Sequence, residues 1–247
     1  MRLTSSHWGV YEFVVKNGRL SALNPFKHDP DPSPIGPSII DLLEDRTRIT
    51  KPAIRESWLE DGPGTATHKR GSERFVTLSW DDAEKIVANE LKRVIKTKGN
   101  QAIYAGSYGW ASAGRFHHAQ SQVHRFLNSI GGYTSSKNTY SYAAAEVIIP
   151  HVLGGNLMEL LTLQTSWKSV CENTELMVAF GGLPAFNSQI SNGGTGAHIQ
   201  RLGAIEAAKA GTKFVNLSPR RSDVKSDIDE DWYNLRPNTD VAVMLAM

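Results

Sequence analysis

The 247-residue sequence contains one cysteine, Cys171. A lone cysteine cannot close an internal disulfide, so the fold does not depend on an oxidising compartment. Its expected place is among small buried apolar residues rather than as a nucleophile. No apolar run approaches the roughly 20 residues that cross a bilayer as a helix. Charge of one sign is also missing. Lys and Arg number 27 against 25 Asp and Glu, and no basic stripe stands out, which argues against a nucleic-acid partner. The opening MRLTSSHWGVYEF has no charged-then-apolar leader and no twin arginine, so no export signal is read there. Several fingerprints are absent too. GGTGAH is not G-x-G-x-x-G, and neither G-x-x-x-x-G-K-[ST] nor G-x-S-x-G occurs. A simple NAD enzyme and a P-loop NTPase are disfavoured.

Apolar residues make up 40% and charged residues 21%, ordinary values for a globular protein. The length allows a sizeable core and approaches the size at which chains divide into domains. Residues 1–74 read as one region. HWGVYEFVVKNGRLSALNPF forms a hairpin about Asn17-Gly18, followed by a proline-dense irregular stretch and a polar loop at 59–74. Residues 75–247 read as an α/β domain. FVTL, AIYAG (102–106), ELMVAFGG (175–182) and KFVNL (213–217) are strands. SWDDAEKIVANELKRVIKT is an amphipathic helix with Ser79 and Asp82 as a capping box; further helices are expected over 114–130 and 194–211. Continuous apolar strands alternating with helices predict a parallel, doubly wound, Rossmann-like sheet behind a small N-terminal β-rich segment. In RPNTDVAVMLAM, Asn238 or Thr239 caps a helix with Asp240 in its first turn, and Met247 reads as a stop inside that helix.

In open α/β sheets ligands bind beyond the carboxyl ends of the strands. Three segments fall there: GSYGWASAG, GGLPAFNSQISNGGTG and SPRRSD. Glycines let a ligand approach the backbone, helix-start amides favour phosphate, and Arg220 and Arg221 suit a bidentate clamp. Each segment alone is an ordinary βα loop. The three together point to a nucleotide-like ligand with a pyrophosphate. His117, His118 and His124 lack the usual i, i+4 ligand spacing and no carboxylate or cysteine joins them, so they read as packed or solvated. Tyr108 and Trp110 are either loop aromatics folded onto the core or hydrogen-bond donors facing a pocket. Ser141, between two tyrosines in NTYSYAAA, reads on its own as a turn or cap hydroxyl.

SSHWG, SWDDA, GSYGW-x-S-x-GRFHHAQ, GGYT, YSYAAAEVIIPHVLGG, QTSW, SPRRS and P-x-TDVAVMLAM occur in order along the chain. This ordered set resembles the N-terminal part of the molybdopterin oxidoreductases of the dimethyl sulfoxide and trimethylamine N-oxide reductase type, with their biotin and methionine sulfoxide reductase relatives. The resemblance implies a molybdenum held by two molybdopterin guanine dinucleotides, with Ser141 as the protein ligand. It implies that Tyr108 and Trp110 lie over the reacting oxygen. It places Trp110, Ser141, Gly182, Pro184, Asn187, His198, Ser218, Pro219, Arg221 and Asp240 against the cofactor. No iron–sulfur cluster is expected, since no cysteine cluster is present. The implied substrate is a small N-oxide or S-oxide, the implied partners a c-type cytochrome donor and a cofactor-loading chaperone, and the implied location the periplasm, with the cytoplasm as the alternative. Three departures stand out: Ser218-Pro219 in place of the more usual Asp-Pro, Phe186 where some relatives carry lysine, and YSY in place of YST. The competing expectation is a catalytically inactive fragment of such an enzyme.

Overall fold

The computed structural model describes residues 2–107, 118–191, 193–223 and 227–247. Strands β1 (Leu3–Ser6), β2 (Gly9–Lys16) and β3 (Arg19–Pro25) form an antiparallel sheet in the order β1-β2-β3. The hairpin between β2 and β3 turns where expected. Lys16 pairs with Arg19, and Asn17 and Gly18 both take positive φ, 51° and 75°. Two positive φ values are what a right-twisted two-residue hairpin requires. β1 was not foreseen in the sequence. Tyr11 of β2 is 2% exposed, and its hydroxyl lies 3.1 Å from the Trp8 carbonyl and 3.0 Å from the Ser33 carbonyl.

The proline-dense stretch is less irregular than expected, for it holds helix α1 (Ile35–Leu42). Pro37 falls in the first turn, where a backbone N–H has no intrahelical partner, so its absence costs nothing. Gly36 packs tightly, since a Cβ there would lie 2.2 Å from Tyr11 Cζ. Strand β4 (Ala53–Arg55) leads into helix α2 (Glu56–Asp61), and β5 (Phe75–Thr77) pairs antiparallel with β4. The 75–78 strand therefore belongs to a two-stranded ribbon and not to the parallel sheet. Arg55 with Glu73 and Arg74 with Glu56 fasten that ribbon. The 59–74 loop contains the end of α2 and a 3-10 turn at Thr67–Lys69.

Helix α3 (Trp80–Lys98) starts as expected: the Asp82 amide donates to Ser79 Oγ at 3.1 Å, and Gly99 ends the helix. Residues 102–106 do not join a sheet. They make one parallel bridge, Tyr104 to Thr134, because Thr134 takes the backbone bonds of both Ile103 and Ala105. Helix α4 (Ala119–Ser129) closes when the Gly132 amide returns to the Leu127 carbonyl at 2.9 Å. Helices α5 (Ala143–Leu153), α6 (Leu157–Thr162) and α7 (Trp167–Asn173) follow.

Strand β6 (Leu176–Phe180), helix α8 (Gln200–Lys209), β7 (Lys213–Ser218), β8 (Glu230–Asn234) and α9 (Asp240–Ala246) complete the order. The three strands form a parallel sheet in the order β6-β7-β8, so the chain is a mixed α/β protein with small antiparallel sheets and a parallel one. A cluster of Val170, Ala204, Ala207, Phe214 and Ile228 joins α7, α8 and β7, and half-buried Cys171 packs against it. Helix α8 starts later than the expected 194. Gly193 and Gly194 sit at φ 80° and 93°, and the His198 amide bonds to Asp29 rather than into a helix. The chain forms two compact units. One takes in residues up to Ile40 and from Lys137 to Met247; the other lies within Asp41 to Ser136. No helix among the described residues is long and apolar enough to cross a membrane.

Candidate cofactor-binding site

Parallel strands β6 and β7 end side by side, and the loops leaving their carboxyl ends carry most of the expected cofactor contacts. The Gly181 amide donates to the Leu217 carbonyl at 2.9 Å, which carries the pairing one residue past β6. Gly181 and Gly182 then take φ values of 82° and 80°, a left-handed pair that turns the chain off the sheet. A Cβ built on Gly181 meets no atom within 4 Å, so the backbone is open to close approach. Pro184 starts a 3-10 turn over Ala185–Gln189, in which the Asn187 amide donates to the Pro184 carbonyl at 3.1 Å and the Asn187 side chain is exposed.

Ser218 at the end of β7 is fully buried. Its Oγ accepts from the Arg220 amide at 3.2 Å, and its carbonyl accepts from Trp232 Nε1 at 3.0 Å. The hydroxyl thus turns the chain, and the exposed Pro219, Arg220 and Arg221 stand beyond it. Arg220 lies over the Phe186 ring with 5.7 Å to its centroid. This contact ties the loop after β6 to the loop after β7. Burial raises the Glu230 carboxyl above its ordinary value, with Asn216 and then Arg221 pulling it partly back.

His198 is buried, and both ring nitrogens are engaged. Nδ1 lies 2.6 Å from Asp29 Oδ2, and Nε2 lies 3.1 Å from the Gln189 carbonyl. Ser141 sits in the exposed turn ahead of α5, where its amide donates to Thr139 Oγ1 at 3.3 Å; Tyr140 beside it is 90% exposed. Asp240 opens α9. Tyr108, Trp110 and His117 lie outside the described residues. His124 stacks on Tyr133 at 5.7 Å, which gives it a packing role. Among the described residues no three of His, Cys, Asp or Glu group as metal ligands. Sequence reasoning missed Asp29, Asp31 and Arg201. The signals were the acidic pair inside the prolines of DPDPSP and the three-residue spacing of His198 and Arg201.

The chain belongs to the molybdopterin oxidoreductases. The family model described as molybdopterin oxidoreductase matches residues 48–247, and that of the molybdopterin oxidoreductase N-terminal domain matches residues 4–43. Among its relatives, the dimethyl sulfoxide/trimethylamine N-oxide reductase of Rhodobacter capsulatus is 41% identical over 99% of this chain and 29% of its own length. The biotin sulfoxide reductase of Cereibacter sphaeroides is 39% identical over 91% of this chain and 30% of its own. The trimethylamine-N-oxide reductase of Haemophilus influenzae is 32% identical over 99% of this chain and 29% of its own. The chain thus spans less than a third of the length of these relatives.

Proposed function

We propose that this chain forms part of a molybdenum-dependent reductase of N-oxides or S-oxides that uses a bis(molybdopterin guanine dinucleotide) centre. The observation that carries the reading is the 41% identity, along 99% of the chain, to a protein named dimethyl sulfoxide/trimethylamine N-oxide reductase. The carboxyl edge of the parallel sheet supports it. A dinucleotide carries phosphates and a base, and the edge offers left-handed Gly181 and Gly182, with open space over Gly181 for close backbone approach, and the exposed guanidinium donors of Arg220 and Arg221. The residues present therefore fit the group. On this reading β6, β7 and β8 belong to a doubly wound, Rossmann-like layer.

When bound, the centre supplies two-electron oxygen-atom transfer, so that substrate oxide, two electrons and two protons give the reduced substrate and water. Ser141 would hold the metal through its oxygen. Tyr108 and Trp110 would donate hydrogen bonds to the substrate oxygen, where negative charge grows during transfer. Gly182, Pro184, Asn187, Ser218, Pro219 and Arg221 would line the dinucleotide. Asp240 offers a carboxylate to the N–H donors of guanine. A small-molecule oxide is the substrate, a c-type cytochrome and a cofactor-loading chaperone are the partners, and the periplasm is the compartment on this reading.

The 39% identity to a biotin sulfoxide reductase favours a second substrate within the same chemistry. Elemental analysis of the purified gene product for molybdenum, with viologen-coupled reduction of trimethylamine N-oxide, dimethyl sulfoxide and biotin sulfoxide, tests both. Molybdenum with turnover of one of the first two substrates supports the first reading. Turnover of biotin sulfoxide alone selects the second. A metal-free product without any turnover overturns both.

A further inference from the structure

The loop 193–199 is held from behind by the N-terminal region of its own unit. The Ser191 amide just ahead of it donates to the His7 carbonyl at 2.7 Å. A Cβ on Gly194 would lie 2.8 Å from the Ser6 carbonyl oxygen, so the loop and the β1–β2 turn touch backbone to backbone. Asp29 then takes His198 twice, its Oδ1 accepting from the backbone amide at 2.9 Å and its Oδ2 facing ring Nδ1 at 2.6 Å. Both side chains are 2% exposed. Two residues on, Asp31 receives Arg201 through two guanidinium bonds of 2.8 and 2.6 Å. Asp227 stands 3.5 Å from the same guanidinium.

The two contacts lie close together in sequence on each side. Pro30 and Pro32 restrict the backbone of the residues before them, and the chain bends at Pro30 and Asp31. From this bend Asp29 reaches His198 and Asp31 reaches Arg201. Arg201 lies in the first turn of α8 and His198 two residues ahead of the helix. Asp31 is also tied to Asp29 directly, its amide donating to Asp29 Oδ1 at 3.2 Å. With Nδ1 on Asp29 and Nε2 on the Gln189 carbonyl, the His198 ring has no nitrogen to offer a ligand without breaking one of these bonds.

We propose that Asp29 and Asp31 form a two-point clasp that sets the shape of loop 193–199, and that His198 and Arg201 serve the cofactor edge as positioning residues rather than by touching the cofactor. The positioning half rests on the function proposed above; the clasp itself does not. The test combines hydrogen exchange by mass spectrometry on the full chain with binding of guanosine diphosphate as probe. In Asp29→Asn the amides of 193–199 exchange at least tenfold faster while those of β6 and β7 keep their protection, and the probe binds about tenfold more weakly, the scale of one lost charge-assisted hydrogen bond. Arg201→Met has the same effect and Arg201→Lys restores part of both readouts. Asp31→Asn, at the more exposed end, carries the test should Asp29→Asn fail to fold.

Unchanged exchange in 193–199 overturns the clasp. Faster exchange with unchanged probe affinity overturns the positioning role. A wild-type chain that binds no probe sinks the cofactor reading instead, and the exchange arm then decides the clasp alone.

Discussion

The Arg220 guanidinium sits 5.7 Å over the Phe186 ring, one residue on the loop after β6 and the other on the loop after β7. An exposed cation–π contact of this kind is worth about 0.5–1 kcal/mol. That is a small stabilisation, but it holds a flexible cation in place. A guanidinium held flat and still meets a phosphate with less loss of rotamer freedom. Phe186→Ala should therefore weaken guanosine diphosphate binding about two- to fivefold with its salt dependence unchanged, matching the energy of the contact. Arg220→Ala should weaken binding tenfold or more and flatten the salt dependence, because a charge is lost. Calorimetric titration at two ionic strengths measures both. Equal effects of the two variants would assign Arg220 a purely local role.

Gly203 tests the packing beneath this edge. It lies inside α8, where glycine costs roughly 1 kcal/mol against alanine, so propensity alone favours Gly203→Ala. Packing opposes it, since the new Cβ would lie 2.2 Å from Trp167 Cγ. Trp167 belongs to α7 and packs against the buried cluster, so it cannot withdraw freely. Overpacking costs typically about 1–3 kcal/mol, which exceeds the propensity gain. Gly203→Ala should lower the urea midpoint and shift the tryptophan emission, and Trp167→Leu should relieve the loss. A stabilised Gly203→Ala would mean that α7 and α8 are free to move apart.

Local elements were legible where local chemistry decides them. Asn17-Gly18 specified its hairpin, Ser79 marked the start of α3, and the apolar run at Leu176–Phe180 gave β6. Partnership was not legible. Phe75–Thr77 is strand-like in any sheet, and only β4 makes it part of an antiparallel ribbon. Helix α1 was hidden because proline frequency was weighed without asking where in a helix a proline is harmless. Ser218 and His198 could be placed beside a ligand by resemblance. That the Ser218 hydroxyl accepts a backbone amide, and that His198 is bound to a carboxylate 169 residues away, follow from tertiary contacts that no short window contains.

Two carboxyls respond to pH with opposite sign. The Ser57 hydroxyl above all lowers Glu73 to about 2, against the effect of burial, with the Ser57 amide and Arg55 adding to it. A depressed carboxyl stabilises the fold above its unfolded value of 4.5 and loses that contribution as pH falls toward 2. Glu73→Gln should therefore lower the melting temperature at pH 7, and the gap to wild type should close below about pH 2. Glu230 is shifted upward, chiefly by burial, so its contribution is present below 4.5 and is lost as pH rises. Glu230→Gln should raise the melting temperature at pH 7. Calorimetry of both variants across the acid range checks the signs; a Glu73→Gln deficit that persists at the lowest pH would trace the loss to packing.

Helices α5 and α6, with Leu163 just after α6, leave Val147, Ile148, Val152, Leu153, Leu161 and Leu163 exposed. An apolar face of this extent binds hydrophobic dyes in the native state. The folded chain should enhance anilinonaphthalene sulfonate fluorescence at pH 7, and Val152→Lys with Leu153→Glu should remove most of the enhancement while leaving the free energy of unfolding in urea within about 0.5 kcal/mol, as for surface substitutions. Dye binding unaffected by the pair would place the responsible surface elsewhere.

Ser141 decides the functional reading most directly. In its turn Asn138 holds φ 65°, and the Ser141 amide donates to the Thr139 hydroxyl. Ser141→Ala keeps the backbone amide that donates to Thr139 Oγ1 and removes the hydroxyl. Ser141→Ala should fold with an unchanged melting temperature, and the purified gene product should lose N-oxide reduction by a factor of 100 or more, the scale of removing one stabilising group at a reacting centre. Ser141→Cys replaces a hard oxygen by a soft sulfur and should alter the visible spectrum of the metal centre as well as the rate. Thr139→Val separates the two contributions, since it removes the acceptor of the Ser141 amide and keeps the Ser141 hydroxyl. If turnover fell equally in Thr139→Val and Ser141→Ala, the turn rather than the hydroxyl would carry the function. If Ser141→Ala kept both its molybdenum and its full rate, the metal would have another ligand.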